Sequence, residues 1–176
     1  MTTIVYHQGA IYADQVHVRA GTPCTSHLAV KIFTSADKQF AYGVSGRAIA
    51  PKERESLEQI LRKGLEKLLV ANMGDSIMTP MIFSEEEIER LSDFGGWVIM
   101  TKTRAFIWLS RMIREATGAT MGAGTGCWLV CGMIYGGMKP EKAILNTGDL
   151  DCCTGGGVNK ISAKSLKPFV IKGESK

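Results

Sequence analysis

The chain has 176 residues, 45% of them apolar and 22% charged, with a formal net charge of +4. A length of ~100–200 residues suits one folded unit, so residues 1–176 are read as a single domain. The charges are interspersed, which excludes the concentrated basic face of a nucleic-acid binder, and no apolar run approaches the ~20 residues of a membrane helix.

Thr3–Tyr6 and Ala10–Val18 are rich in β-branched and aromatic residues, and Gln8-Gly9 between them predicts a hairpin turn. Gly21–Ser26 reads as a loop. Leu28–Phe33 and Gln39–Val44 form a second predicted hairpin across Ser35–Lys38. The period then changes: Leu57, Ile60, Leu61, Leu65, Leu68 and Leu69 recur at helical spacing, and Pro51 suits a first turn, predicting a helix over Pro51–Met73. Gly74–Pro80 breaks it. Ser84 with Glu87 three residues later is a capping-box pattern for a short helix to about Leu91. Trp97–Thr101 and Arg104–Leu109 read as a third hairpin. Gly122–Gly126 reads as a glycine-rich turn before a helix over Cys127–Tyr135. A last helix runs from Pro140 to about Leu150, Gly155–Gly157 is a turn, and Val158–Ile161 and Pro168–Ile171 are closing strands. Hairpins with helices in blocks give an α+β class, and two stacked sheets with helices on both outer faces would use these elements well.

The cysteines number five, an odd count with no CxxC, which argues against a disulfide framework and fits a reducing compartment. With no signal-peptide pattern at the start, the chain reads as cytoplasmic. Cys127 and Cys131 would share a helix face, but His7, His17 and His27 lack ligand spacing, so no metal is expected. There is no GxSxG elbow, no cysteine in an activating context, and GAGTG lacks the lysine of a phosphate loop.

The chemistry left open uses the start of the chain. An N-terminal threonine holds a hydroxyl nucleophile and an α-amine of pKa ~8 that serves as its base without histidine. It needs a nearby cation, carboxylates that orient the cation, and backbone N–H donors for an oxyanion. Asp14 ends the second apolar run, and Lys31 sits inside the apolar AVKIF. On pattern alone that lysine could equally face solvent. Gly43 and Gly46 could let a substrate approach or merely end a strand.

The stretches MTTIVYHQGAIYADQ, VKIF and AYGVSGRA resemble the N-terminal half of the proteasome β-subunit and HslV family of N-terminal nucleophile (Ntn) threonine peptidases. GAGTG, KPEKAIL and DCCTGGGV are similar to that family's later glycine turn, helix start and Asp-x-x-Ser-Gly-Gly turn, in order, over roughly residues 2–161. The resemblance implies a four-layer αββα sandwich of two mainly antiparallel sheets flanked by helices. It implies Thr2 as nucleophile and base after removal of Met1, Lys31 as the cation, and Asp14 as its holder. Asp151 and Thr154 would support the amine, and the Gly46 N–H would serve as oxyanion donor. Thr125 would take the place of the family's serine, with Ala123 competing for that place. Val44, Arg47 and Ala48 would shape the substrate pocket, with Arg47 standing where the family has glycine. It further implies cleavage of polypeptide without cofactor, assembly into rings or related homo-oligomers, and a separate ATPase unfoldase. An Ntn amidase acting on a small amide, or a non-catalytic assembly protein that retains Met1, are the alternatives.

Overall fold

The first hairpin shows how the chain converts pattern into geometry. Strands β1 (Ile4–His7) and β2 (Ala10–Asp14) pair antiparallel across Gln8 and Gly9, both at positive φ (44° and 77°). That two-residue turn matches the twist of the strands it joins. The computed structural model of the protein describes residues 2–19, 22–24, 30–71, 76–151 and 153–171. Among these residues it is a mixed α+β structure with two larger antiparallel sheets, a two-stranded ribbon and four α-helices.

After β2 come a short ribbon of β3 (His17–Arg19) and β4 (Thr22–Cys24), then β5 (Ile32–Thr34), β6 (Ala41–Val44) and helix α1 (Pro51–Val70). Next are β7 (Ile77–Met78), α2 (Glu85–Ser92), β8 (Trp97–Met100), β9 (Ala105–Leu109), β10 (Met112–Glu115) and β11 (Thr120–Ala123). The chain closes with α3 (Cys127–Tyr135), α4 (Pro140–Thr147), β12 (Val158–Ser162) and β13 (Pro168–Ile171). One sheet runs β11-β1-β2-β12-β13, the other β5-β6-β8-β9-β10-β7.

Several boundaries differ from the sequence expectation. The run Ala10–Val18 is not one strand: β2 stops at Asp14, whose carboxylate turns back to accept the Val16 N–H. The expected loop contains β4, and Thr25, Ser26, Leu28 and Ala29 lie outside the described residues. Helix α1 ends at Val70, and Asn72–Asp75 are likewise not described. Helix α4 ends at Thr147. Gly122 and Ala123 of the expected glycine turn belong to β11, which pairs with β1 from Ile4–Ala123 to His7–Thr120. The Ser84–Glu87 capping box is present, with both of its hydrogen bonds formed.

Side-chain alternation divides the apolar residues into three clusters. Ile4, Tyr6, Ile11 and Ile161 of the first sheet meet Ile32, Val98, Met100 and Ile107 of the second. The opposite side of the second sheet (Tyr42, Val44, Trp97, Phe106, Trp108) is covered by Leu57, Leu61, Leu65 and Leu68 of α1 and Leu91 of α2. The opposite side of the first sheet (Val5, Tyr12, Val158) is covered by Val130 and Ile134 of α3 and Ala143 and Ile144 of α4. No helix among the described residues is long and apolar enough to cross a membrane.

Within α1, Gly64 is buried, and a Cβ there would overlap the Phe83 ring. Phe83 cannot yield, because it is stacked on Trp108 at 5.0 Å between centroids. Removing a mid-helix glycine gains about 1 kcal/mol of helix propensity, while overpacking a tight core costs about 1–3 kcal/mol. Gly64→Ala should therefore lower the melting temperature by several degrees, as read by thermal unfolding, where propensity alone would raise it.

Candidate functional site

Strand β1 delivers the beginning of the chain to the junction of the two sheets. Two-residue alternation carries Thr2 to the side of Ile4 and Tyr6, toward the second sheet, and Thr3 to the side of Val5, toward α3 and α4. Both residues are buried. The Thr2 N–H donates to the Ser45 carbonyl at the end of β6, at 3.0 Å, so β1 is tied across to the other sheet. Ser45 is itself fixed: its N–H donates to the Gly96 carbonyl, and its hydroxyl accepts the Gly96 N–H, both at 2.9 Å.

Beside Thr2 and Thr3 lies a buried ion pair. Lys31 Nζ donates to Asp14 Oδ2 at 3.0 Å, with the side chains 5% and 0% exposed. Asp14 also accepts the N–H groups of Thr3 (2.8 Å) and Val16 (3.0 Å). This settles the orientation that the AVKIF pattern leaves open: Lys31 points inward. Burial pushes the Asp14 carboxyl above its ordinary range, against the pull of Lys31 and the two N–H donors. Burial likewise pushes the Lys31 ammonium below its ordinary range, against the pull of Asp14.

A second cluster forms around Asp151 in the loop after α4. Its Oδ2 accepts the hydroxyls of Thr125 and Thr154, both at 2.8 Å, and its Oδ1 accepts the Cys153 N–H at 3.0 Å. Partial burial pulls the Asp151 carboxyl up, but the Cys153 N–H and the two hydroxyls outweigh it and hold it below the ordinary carboxylate range. Thr125 thus supplies one of the two hydroxyls on Asp151. Ala123 is buried in β11 opposite Ile4.

Glycines make this convergence possible. A Cβ on Gly122 would come within 2.6 Å of the Ile4 carbonyl oxygen, and one on Gly124 would overlap the Thr2 carbonyl. A Cβ on Gly126 would lie 2.5 Å from Thr3 Oγ1 and 2.6 Å from Thr154 Oγ1. The GAGTG run is thus a close backbone approach to β1.

Gly46 and the expected pocket residues are placed differently from the expectation. The Gly46 N–H donates to the Phe94 carbonyl at 2.8 Å, and a Cβ there would lie 2.6 Å from the same oxygen. Packing against Phe94 therefore explains this glycine, and its N–H is engaged rather than open to an oxyanion. Val44 is sealed in the core with Tyr42 and Trp97, so it lines no open pocket. Arg47 is folded away onto Glu53, making bonds of 2.9 and 3.0 Å to its two oxygens, and lies over the Phe94 ring at 4.1 Å. With Leu57, Arg90 and Asp93 these groups line a hollow of about 100 Å³. Ala48 is exposed.

Burial raises the Cys127 and Cys131 thiols, that of Cys131 to about 11, which suits packing rather than nucleophilic attack. His7 bonds Thr120 at the far end of β1, about 16 Å along the strand from Thr2 at ~3.3 Å per residue. The His17 side chain and His27 lie outside the described residues. Among the described residues, no three His, Cys, Asp or Glu side chains gather to hold a metal ion. No protein-family model matches the chain, and no curated protein matches it.

The depressed Asp151 value has a definite sign in stability. A carboxylate held below its unfolded value contributes stability that is present above about pH 4 and lost as pH falls through the folded value. Asp151→Asn should lower the melting temperature at pH 7, and the difference from wild type should shrink on acidification, as followed by thermal melts across a pH series.

Proposed function

We propose that the protein is an N-terminal nucleophile threonine peptidase of the proteasome and HslV kind, acting through Thr2 once the residue before it is removed. The observation that carries this reading is the convergence on the start of β1 of groups far apart in sequence: the Lys31–Asp14 pair and the Asp151–Thr125–Thr154 cluster. The three apolar clusters support an αββα order, with α1 and α2 on one sheet and α3 and α4 on the other.

In this proposal the α-amine of Thr2 takes the proton of its own Oγ1, which attacks the carbonyl carbon of a peptide bond. The amine then returns the proton to the leaving nitrogen, leaving an ester on Oγ1 that water hydrolyses. The Lys31 ammonium, held by Asp14, favours the alkoxide and keeps the amine neutral. Asp151 with its two hydroxyls orients the amine. Polypeptide as substrate, ring assembly and an ATPase unfoldase belong to the proposal through the sequence resemblance.

Surface composition supports assembly. Helix α3 carries no charged residue and leaves Trp128 81% and Tyr135 72% exposed, with Leu129 beside them. The two aromatics alone expose on the order of 300 Å², against the ~800 Å² per partner of a standard interface.

Two measurements test the reading. Intact mass of the purified protein before and after a peptide epoxyketone, which reacts with both hydroxyl and free amine, should show a chain beginning at Thr2 and a one-to-one adduct. Thr2→Ala and Lys31→Met should form none. A retained Met1 with no adduct would turn the reading to the non-catalytic assembly protein, and an adduct-forming enzyme that cleaves small amides but not casein would turn it to the amidase. Separately, sedimentation should show an oligomer whose mass falls when Trp128→Asp places a charge on the α3 face.

A further inference from the structure

The sequence pairs Thr3 with Thr2 but assigns it no role, yet this residue connects the two halves of the site. It is fully buried and faces away from Thr2, toward α3 and α4, so it does not reach the reacting atoms. Its backbone is clamped to Asp14: the Thr3 N–H donates to Oδ1 at 2.8 Å, and the Asp14 N–H donates to the Thr3 carbonyl at 3.1 Å. Its hydroxyl points the other way, 2.7 Å from Thr154 Oγ1, and accepts the Gly126 N–H at 3.1 Å.

Counting hydrogens fixes the direction of this chain. An ionised carboxylate only accepts, so the Thr154 hydroxyl donates its single hydrogen to Asp151 Oδ2. Thr154 Oγ1 is then left to accept, and the hydrogen between the two threonines belongs to Thr3. The lone pairs of Thr3 take the Gly126 N–H. Every hydrogen has one place, and each bond polarises the next toward the carboxylate. The absent side chain at Gly126 makes the arrangement feasible, since a Cβ would collide with both hydroxyl oxygens.

We propose that Thr3 is a positioning residue for the Thr2 centre: its hydroxyl is the middle link of a one-way chain, Gly126 to Thr3 to Thr154 to Asp151, that locks the Asp151 cluster to the strand carrying Thr2. This rests on the reading of Thr2 as nucleophile. Thr3→Val keeps the shape and removes the link at both ends. Thr3→Ser keeps the link.

The test is the rate of adduct formation with a peptide epoxyketone, followed by intact mass over a range of reagent concentrations, in full-length wild type, Thr3→Val, Thr3→Ser, Thr154→Val and the Thr3→Val/Thr154→Val double variant. Thr3→Val should lower the limiting rate at least about tenfold while leaving the half-saturating concentration within about twofold. Thr3→Ser should restore most of the rate, and the double variant should be no slower than Thr154→Val alone. Wild-type kinetics in Thr3→Val, equal loss in Val and Ser variants, or additive losses in the double variant would each overturn the chain while leaving Thr2 as nucleophile. If Thr3→Val does not fold, Thr154→Val breaks the same link from its other side, and an undiminished rate there overturns the proposal. An inert wild type sinks the peptidase reading itself and the role of Thr3 with it.

Discussion

The buried pair of Lys31 and Asp14 is the constraint around which the rest is arranged. Asp14 ends a strand of one sheet and Lys31 precedes a strand of the other, so a single ion pair spans the seam between them. Desolvating each charge costs several kcal/mol, and apolar side chains of similar volume often hold such a seam equally well. Stability is therefore a weak reason to keep a lysine there. A cation fixed in a dry place beside the start of β1 is a strong reason if the start of β1 does chemistry. The two backbone N–H groups on Asp14 serve the same end, since they leave the carboxylate no freedom to turn away from the lysine.

Much of the fold is legible because its signals are local. The Gln8-Gly9 turn, the Ser84–Glu87 box and the limits of α3 each depend on a few neighbouring residues. Strands β10 and β11 are not visible in this way. Their segments interleave Arg, Glu, Thr and Gly with Met, Ile and Ala in no clear alternation, and what makes them strands is pairing with β9 and β1. The inward turn of Lys31 is hidden for a related reason. Alternation shows that neighbouring side chains oppose each other, but the choice of inner face is made by Asp14, seventeen positions away. Thr3 is hidden most deeply, because the partner of its hydroxyl lies 151 positions along the chain.

Gly46 and Arg47 show how a short motif misleads when its surroundings differ. A glycine at the end of a strand suits an oxyanion turn and also suits close packing, and here Phe94 occupies the approach. Arg47 adds no free charge to that end of the molecule, because Glu53 neutralises it and Phe94 covers its plane. The hollow they line carries charges of both signs, Arg47 and Arg90 against Glu53 and Asp93.

The glycines at 122, 124 and 126 have a meaning in terms of variation. For most positions on a protein surface, many of the nineteen alternatives are tolerated. Here each alternative brings at least a Cβ, and each Cβ meets an atom of the first five residues of the chain or of the loop that braces them. The stretch therefore has almost no room to drift. Any lineage that kept the beginning of the chain in its present place would be expected to keep every second letter of this run, while Trp128, two residues beyond and pointing outward, would be free to follow whatever surface it meets.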